Sequence, residues 1–431
     1  MESQPVERSV LRLAIIAPNA WPAINPSTGT RIGGMETFAW GLATGLARRS
    51  DIEVTLLVRT TLPIRHKSKN GVVFHNYWEP LWQIRYDVAA RFPLGNKSLR
   101  AYLRSYPLSF AWKLPLLALA RMTRRHTPTE NFGRTLKRLD VDAFLALGVS
   151  AESAQTLQVA REKQRCGLLW LRSNGDLDPS FFSKNNYQNF YGVKSEDCQA
   201  CLRLADRIIC QTRTQQAQLE SLIGRAAPII GNPVDLDRWH PNHSMTTRNG
   251  ILWVGRYDRH IKRPLSCVKL AHLLPEISFR MIVNRGDAEV KAELQRTIPE
   301  NVTLVDYVPH DAMPTEYRQA RLFLNTSSAM HEGFPNVLLE AAASGTPIVA
   351  MQDCDDFIRR SQAGVSTNDD LLKLKSAILR IWNDESLWRS HSVSARRYVE
   401  QHHRREATYE LFANLLRTAC QRRIVESCAF D

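Results

Sequence analysis

Short runs of apolar, β-prone residues alternate along the chain with segments whose apolar positions follow a helical period. In the first half the apolar runs are LRLAIIAP (11–18), EVTLLV (53–58), DAFLAL (142–147), GLLWLR (167–172), RIICQ (207–211) and PIIG (228–231). Strands buried on both faces read as continuous apolar runs, and their alternation with helices is typical of a parallel sheet covered by helices on both faces. The first half of the chain therefore predicts an α/β domain.

The same alternation begins again after a polar stretch that runs from Leu236 to Asn249. The apolar runs of the second half are ILWV (251–254), FRMIV (279–283), VTLVDYV (302–308), LFLNTS (322–327) and PIVAM (347–351). We therefore predict two Rossmann-like domains, at 1–236 and 249–391, joined by a linker at 237–248. Ligands of such sheets bind outside the carboxyl ends of the strands, so two facing domains would place the active site in the cleft between them.

Composition agrees with a globular protein and excludes several other classes. The chain has 431 residues, of which 44% are hydrophobic and 23% charged, and this is enough for two or three domains with their own cores. Its most apolar window, Leu114 to Ala120, is far shorter than the roughly 20 residues that a transmembrane helix needs. The N-terminus has no signal-peptide pattern and the eight cysteines are irregularly spaced, so we expect a cytoplasmic protein with free thiols.

Basic residues outnumber acidic ones by 57 to 43, and the net charge of +14 favours anionic partners. Between Arg85 and Arg138 twelve basic residues accompany only two acidic ones, and aromatic residues are interleaved. Such a segment suits peripheral contact with an anionic membrane or a platform on which sugars stack. The alternative is an amphipathic helical insertion with buried aromatic residues and solvated arginines. No nucleic-acid partner is predicted, because the charge is not attached to a recognised reading motif.

The most informative stretch is LFLNTSSAMHEGFPNVLLEAAASGTPIVAM (322–351), which predicts a strand, a loop, a helix and a second strand. The helix should begin near Asn336, a favoured N-cap residue that follows Pro335. The main-chain N–H groups of residues 337–339 would then face the carboxyl end of the strand. Because the helix dipole favours negative charge at this end, the helix start predicts a phosphate site.

Two glutamates flank this helix start, with Glu332 in the loop and Glu340 about one turn inside the helix. As carboxylates, both can accept hydrogen bonds from sugar hydroxyls. The alternatives are a solvated loop acid for Glu332 and compensation of the helix dipole for Glu340. The surrounding EGFPN and ASGTP sequences favour the binding role.

The segment Glu332-Gly333-Phe334-Pro335-Asn336-Val337-Leu338-Leu339-Glu340 resembles the E-x7-E signature of retaining GT-B glycosyltransferases, and it is most similar to family 4. Further family 4 features follow in the family's order along nearly the whole chain. They are Gly33-Gly34-Met35-Glu36, Ala205-Asp206-Arg207-Ile208-Ile209 with Gln211-Thr212, Asn232-Pro233-Val234-Asp235, and the G-R…K segment Val254 to Pro264. The resemblance implies a GT-B fold, in which a C-terminal helix at 392–431 crosses back to the N-terminal domain.

The resemblance also implies a nucleotide-diphosphate sugar as donor substrate, a glycan or lipid-linked acceptor, and no metal or other cofactor. It assigns the donor phosphates to Arg256, Lys262, Gly33, Gly34, Asn336, Val337 and Leu338. It assigns the donor sugar and the ribose to Glu332, Gly333, Phe334, Pro335 and Glu340. Arg259 and Arg263 compete for the phosphates, because this loop is one residue longer than the common short form. Cations and helix N–H groups suit a departing diphosphate, whose charge must be stabilised.

Glu332 and Asn174 are the catalytic candidates. Many relatives carry a His-Gly pair where this sequence reads Arg172-Ser173-Asn174-Gly175-Asp176, and an asparagine cannot act as a general base. Either Asn174 only orients the sugar or the acceptor, or the enzyme activates its acceptor differently. Retention in the family is pictured as a front-face displacement in which the donor phosphate helps to deprotonate the acceptor. His331, next to Glu332, is predicted to be a structural loop residue.

Other functions fit parts of the pattern. An epimerase or hydrolase of nucleotide sugars would keep the donor site and lack an acceptor surface. A non-catalytic nucleotide or glycan binder would keep the fold and lose the charges of the donor site. A dehydrogenase is disfavoured, because no G-x-G-x-x-G follows the first strand. The Cys198/Cys201 pair and the D-x-D-like run Asp353/Asp355/Asp356 are predicted to be structural rather than metal-binding.

Overall fold

The computed structural model describes residues 10–25, 33–62, 64, 67–89, 109–123, 127–189, 192–241, 248–284, 286–330 and 332–428. The chain divides into two units. Unit 1 lies within Met1–Ala146, Glu152–Gly167 and Val425–Asp431, and unit 2 comprises Leu147–Ala151 and Leu168–Ile424. None of the helices in the described ranges is long and apolar enough to cross a membrane.

Unit 1 is built on parallel strands flanked by helices. Its strands are β1 (Leu11–Ile16), β2 (Ile52–Thr60), β3 (Ser68–Lys69), β4 (Val72–Trp78) and β5 (Ala143–Leu147), in the order β3-β4-β2-β1-β5. Its helices are α1 (Trp21–Ile24), α2 (Gly34–Leu46), α3 (Trp82–Ala89), α4 (Phe110–Thr123), α5 (Pro128–Arg138) and α6 (Ala151–Glu162). The pairs are parallel except that the short β3 runs antiparallel to β4. The predicted parallel sheet is confirmed, with one antiparallel edge strand in addition.

The described parts of the basic segment 85–138 differ from one another. Helix α5 begins with a capping box between Thr127 and Glu130, and it buries Phe132 and Leu136 in the core of unit 1. Helix α4 buries Phe110 and otherwise stays largely exposed, including most of its apolar side chains. The predicted amphipathic insertion therefore describes α5, whereas α4 presents an apolar surface to solvent.

The first part of unit 2 contains two paired strands and the loops that follow them. Its elements are β6 (Cys166–Trp170), a 3-10 turn (Asn174–Leu177), α7 (Ser180–Ser183), α8 (Ser195–Leu204), β7 (Arg207–Ile209) and α9 (Arg213–Ile223). Strands β6 and β7 pair in parallel. Cys198 and Cys201 share the buried face of α8, and burial raises the pKa of both thiols. Both cysteines therefore pack as neutral core residues.

The second part of unit 2 is a parallel sheet in the order β10-β9-β8-β11-β12-β13. Its strands are β8 (Ile251–Arg256), β9 (Phe279–Asn284), β10 (Val302–Val305), β11 (Leu322–Asn325), β12 (Ile348–Ala350) and β13 (Gly364–Ser366). Its helices are α10 (Pro264–Leu273), α11 (Ala288–Thr297), α12 (Met313–Gln319), α13 (Asn336–Ala343), α14 (Phe357–Ser361), α15 (Leu371–Asn383), α16 (Glu385–His402) and α17 (Arg405–Cys428). The second predicted parallel sheet is thus confirmed.

Helices cover both faces of this sheet, each with its own core. On one face Leu252, Ile282 and Phe323 pack with the buried residues of α13 and α16. On the other face the core contains Trp253 and Leu324, together with buried residues of α10, α11 and α15. Side chains alternate along a strand, so neighbouring residues of one strand serve opposite cores. This alternation explains why the strands read as uninterrupted apolar runs.

The end of the chain packs against the first part of unit 2. Phe412 of α17 stacks on Trp170 of β6, with ring centroids 5.4 Å apart and planes at 12°. Before α17 begins, the Val234 N–H donates to the His403 carbonyl at 2.8 Å. The segment that follows β7 and the end of α16 are therefore tied together.

Candidate active site

The loop between β11 and α13 carries the motif that the sequence singles out. Helix α13 begins at Asn336, as predicted, but the N-cap position is Pro335, and no side chain caps the helix. The prediction of Asn336 as N-cap is therefore wrong. The Asn336 Oδ1 instead accepts a hydrogen bond from Asn232 Nδ2 at 2.7 Å. The Asn336 side chain thus ties the helix to the segment after β7.

Two of the main-chain donors at the start of α13 remain for an anion. The Leu338 N–H donates to the Pro335 carbonyl at 3.1 Å, so this amide is already used. Among the described residues, no acceptor faces the N–H groups of Asn336 or Val337. The predicted phosphate site at this helix start therefore reduces to those two amides.

A cation and an acid from separate loops meet beside this helix. Lys262, in the loop after β8, places its Nζ 2.7 Å from Oε1 and 2.6 Å from Oε2 of Glu332. Their side chains are only 16% and 18% exposed. Ser327 Oγ lies 3.5 Å from the same Nζ. The structure thus brings together Lys262, predicted to bind phosphate, and Glu332, predicted to bind the donor sugar.

The neighbouring arginines hold the loops in place rather than point at this pair. Arg263 adopts a left-handed conformation (φ 50°), and its guanidinium donates to the carbonyls of Thr326 (2.6 Å) and Ser327 (3.2 Å). It also pairs with Asp369 at 2.8 Å. Arg259 pairs with Glu293 at 2.5 Å. Of the predicted competitors, Lys262 alone therefore contacts Glu332 within the described part of the chain.

Arg256, the other predicted phosphate ligand, ends strand β8. Its guanidinium pairs with Asp258 at 3.1 Å and its side chain remains 44% exposed. It therefore presents positive charge at the carboxyl edge of the sheet, which is the edge from which the Lys262 loop leaves.

Glu340 lies inside α13 in different surroundings. Its Oε2 accepts a hydrogen bond from the hydroxyl of Tyr317 at 2.9 Å. Burial raises the pKa of Glu340 to about 7, although the Tyr317 hydrogen bond and the charges of Arg238 and Lys262 act in the opposite direction. Sequence reasoning missed Tyr317, because a tyrosine in the helix before β11 carries only the signal of a core residue.

Three residues between the two glutamates are packed tightly. A Cβ on Gly333 would lie 2.5 Å from Gln211 Oε1 and 2.7 Å from the Arg172 carbonyl oxygen, so only glycine fits there. Phe334 stacks on the His403 ring at 5.9 Å and meets Phe357 edge-on. Pro335 is buried as well. Gly333, Phe334 and Pro335, which the resemblance assigns to the donor sugar and ribose, thus lie in or against the core of unit 2.

A network of polar side chains connects these loops. Arg172, after β6, donates to Asn232 Oδ1 at 3.1 Å, and the side-chain amide of Gln211 lies 2.9 Å from the same atom. Burial lowers the pKa of Arg172 to about 9. Asn232 in turn reaches Asn336, as described above. The quoted family segments around Gln211 and Asn232 therefore converge on the start of α13.

Asn174, the second catalytic candidate, belongs to the 3-10 turn after β6 and is buried. Its Nδ2 donates to the carbonyl of Ala329 at 2.8 Å, in the loop that leads to Glu332. The Asp176 carboxylate fixes the turn by accepting from the N–H groups of Arg172 (2.7 Å) and Ser173 (3.0 Å). Among the described residues, Asn174 Oδ1 is buried without a hydrogen-bond partner. Asn174 therefore lies against the Glu332 loop with one acceptor unused.

Two of the remaining predicted positions belong to unit 1. Gly33 is the N-cap position of α2 in unit 1, and Gly34 is the first residue of that helix. His331 falls outside the described residues.

The three aspartates of the D-x-D-like run have separate roles in unit 2. Asp353 accepts from the N–H groups of Ile358 and Arg359, Asp355 pairs with Arg360, and Asp356 pairs with Arg359. No group of three or more metal-ligating side chains occurs within the described ranges.

Part of unit 2 is similar to a family of known proteins. Residues 248–384 match the family described as "Glycosyl transferases group 1". Strands β8 to β13 and both glutamates of the motif lie in the matched segment, and so do Arg256 and Lys262.

The relatives that align with most of the chain share low sequence identity with it. An exopolysaccharide phosphotransferase from Streptomyces coelicolor is 24% identical over 85% of this chain, and the match spans only 37% of that protein. A D-inositol 3-phosphate glycosyltransferase from Nocardia farcinica is 24% identical over 81% of this chain and 76% of its own length. Sucrose-phosphate synthase from Thermosynechococcus elongatus has a similar structure, with a TM-score of 0.67, 17% identity, and coverage of 95% of this chain and 98% of that one. The chain has the GT-B fold, as the resemblance implied.

Proposed function

We propose that this protein is a retaining, family 4-like glycosyltransferase that moves a hexosyl group from a nucleotide-diphosphate sugar to a glycan or lipid-linked acceptor. The observation that carries the proposal is the Lys262–Glu332 pair at the start of α13, inside a glycosyl transferase group 1 domain. A diphosphate leaving group needs fixed positive charge, and a sugar needs a carboxylate that accepts from its hydroxyls. This pair supplies both within one contact.

The described groups suit the following division of labour. Lys262, Arg256 and the N–H groups at the start of α13 hold the diphosphate, so the charge that develops on it is stabilised as it leaves. Glu332 accepts from a hydroxyl of the donor sugar, and Glu340 accepts from a ribose hydroxyl. The bond from the anomeric carbon to the phosphate oxygen breaks while the acceptor oxygen attacks from the same face. The acceptor proton passes to the departing phosphate, so no protein base is required.

Asn174 then acts by position. Its unused Oδ1 is buried and its Nδ2 is fixed by Ala329, so it can accept one hydrogen bond from a sugar or acceptor hydroxyl in a defined direction. Glu332 lies in the same loop as Ala329 and keeps its place as a catalytic candidate.

We also propose that helix α4 brings the protein to the cytoplasmic face of an anionic membrane, where a lipid-linked acceptor resides. Trp112, Leu119 and Met122 are 54%, 58% and 84% exposed, and the exposed Arg121 precedes Met122, whereas Lys113 is only 15% exposed and pairs with Asp87. An exposed apolar helix face inserts into the bilayer interface, and a neighbouring cation such as Arg121 adds attraction to anionic lipids. Replacing the three apolar residues with serine should reduce co-sedimentation with phosphatidylglycerol vesicles. Leu372→Ser, at an equally exposed leucine of α15, serves as the control, and unchanged sedimentation of the triple variant would contradict this part of the proposal.

A transfer assay tests the reaction. The protein is incubated in EDTA with UDP-, GDP- and ADP-sugars and a panel of glycan and polyprenyl-phosphate acceptors, and products are identified by mass and their stereochemistry by NMR. Gain of a hexosyl mass with retained anomeric configuration supports the proposal, and Lys262→Ala should abolish it while Lys373→Ala, at an exposed helix lysine, does not. Release of free sugar or of an epimer alone would favour the hydrolase or epimerase. Transfer of a sugar phosphate would indicate phosphotransferase chemistry, and binding without turnover would favour a non-catalytic binder.

A further inference from the structure

Three neighbouring strands of unit 2 end in polar side chains at their carboxyl edge. Arg256 ends β8, Asn284 ends β9 and Asn325 ends β11. Each has one buried side-chain atom that finds no hydrogen-bond partner in the described residues, namely Arg256 Nε, Asn284 Oδ1 and Asn325 Nδ2. Leaving a buried polar atom unpaired costs about 1–3 kcal/mol, so native proteins keep few of them. Three at one edge of one sheet indicate a polar ligand.

Strand register places these side chains on one face of the sheet. Arg256 and Asn284 are direct partners across the parallel β8–β9 pair, so their side chains point the same way. Residues two or four positions earlier on the same strands share that face. They are Leu252, Ile282 and Phe323, and all three belong to the core that includes the buried residues of α13. The unpaired atoms therefore lie on the face covered by the helix that carries Glu340.

Asn325 is also linked to the Lys262–Glu332 pair. The Ser327 N–H donates to Asn325 Oδ1 at 3.4 Å, and Ser327 Oγ is the atom that lies 3.5 Å from Lys262 Nζ. Asn325 is 3% exposed. Its unpaired Nδ2 is thus a donor close to the group that would hold phosphate, whereas the unpaired atom of Asn284 is an acceptor beside Arg256.

We propose that Asn325 and Asn284 bind the two halves of a nucleoside diphosphate. Asn325 Nδ2 donates to a diphosphate oxygen, because phosphate oxygens only accept, and Asn284 Oδ1 accepts from a hydroxyl or N–H of the nucleoside. The inference rests on the proposed function of this site. It adds two ligand-binding side chains that the E-x7-E motif does not contain, and it makes Asn284 a determinant of nucleoside affinity.

The roles of the two asparagines can be distinguished by comparing a whole nucleoside diphosphate with pyrophosphate alone. Calorimetric titration of Asn284→Ala and Asn325→Ala with UDP, GDP and ADP should show about tenfold weaker binding of the preferred diphosphate in each variant. Inorganic pyrophosphate, which lacks the nucleoside, should bind more weakly to Asn325→Ala only. Because Asn284 Oδ1 has no hydrogen-bond partner among the described residues, Asn284→Ala should not lower the free energy of unfolding in urea.

The control is Asn383→Ala, at an exposed asparagine that ends α15, whose buried residues pack on the opposite face of the sheet. It should bind like the native protein. If the native protein binds a diphosphate and both site variants bind it equally well, this inference is overturned while the proposed function stands. If both variants bind more weakly and their free energies of unfolding fall by as much as their binding free energies, the asparagines have a structural role. This result would also overturn the inference. If the native protein binds none of the diphosphates, the inference and the proposed function fail together.

Discussion

Glu332 and Glu340 belong to one short motif, yet the loop and the helix give them opposite surroundings. Glu332 faces a lysine from another loop, and both partners keep some exposure. Glu340 meets the neutral hydroxyl of the fully buried Tyr317, and burial raises its pKa to about 7. The Glu332 carboxylate is held by the charge of Lys262, which can also bind a phosphate, whereas the Glu340 carboxylate is held by a neutral hydroxyl. One motif thus combines an exchangeable contact with a fixed one.

Removing the exchangeable cation should have the largest effect. Lys262→Ala removes the cation that the proposed leaving diphosphate needs, so we expect the transfer rate to fall about 100-fold or more. Because Glu332 is only 18% exposed and loses its partner, we also expect the free energy of unfolding to fall by about 1–3 kcal/mol. The measurement is the transfer assay beside urea denaturation. A folded variant that transfers sugar at the native rate would contradict the view that this pair serves the ligand.

Replacing Glu340 tests the other side of the comparison. Because the pKa of Glu340 is higher in the folded protein (about 7) than the ordinary value of 4.5, its contribution to stability is greatest below pH 4.5 and is lost as the pH rises through 7. Glu340→Gln removes that loss, so its stability relative to the native protein should rise by about 3 kcal/mol between pH 4.5 and pH 8. Urea denaturation across this range measures it, and parallel pH profiles would refute it.

Gly333→Ala sharpens the comparison by disturbing the segment between the two glutamates. The added Cβ would meet the Arg172 carbonyl, which cannot move easily, so we expect a loss of about 1–3 kcal/mol in the free energy of unfolding. Gly175→Ala is the matched control, because its Cβ would meet only the Ser173 hydroxyl at 3.3 Å. Equal losses in the two variants would show that close packing at Gly333 is not special.

The smallest effect is expected for Tyr317→Phe. The change removes one hydrogen bond to Glu340 and keeps the buried ring, so it should cost about 1 kcal/mol near pH 7. Since that bond lowers the pKa of Glu340, its loss should move the stability profile of the native protein to higher pH. A profile that stays in place would mean that the Tyr317 hydroxyl does not act on Glu340.

The sequence predicts both sheets and the start of α13, because continuous apolar runs and the glycine and proline positions depend on local chemistry. It also points to Glu332, through its place in the loop before the helix, and to Lys262, through the resemblance. The Lys262–Glu332 contact could not be predicted from the sequence, because the two residues lie in separate loops after β8 and β11. It also depends on Arg263, which donates to the carbonyls of Thr326 and Ser327. The N-cap prediction failed for a related reason. The Asn336 side chain forms a tertiary hydrogen bond with Asn232, and rules based on local helix sequence do not include such contacts.

Asn284 and Asn325 show a second limit. An asparagine at the end of an apolar run is typical of an ordinary strand end. Whether it can bind a ligand depends on whether neighbouring strands already form hydrogen bonds with its side-chain amide. Register and the opposing helix decide that, and neither is visible in the sequence.

The central claim is that the carboxyl edge of the second sheet binds a nucleoside diphosphate without metal. Calorimetric titration of the protein with UDP, GDP and ADP in EDTA, repeated with Glu340→Ala, tests it most directly. We predict micromolar binding of one diphosphate and clearly weaker binding by the variant. Absence of binding for all three, or equal affinity in the variant, would contradict the claim.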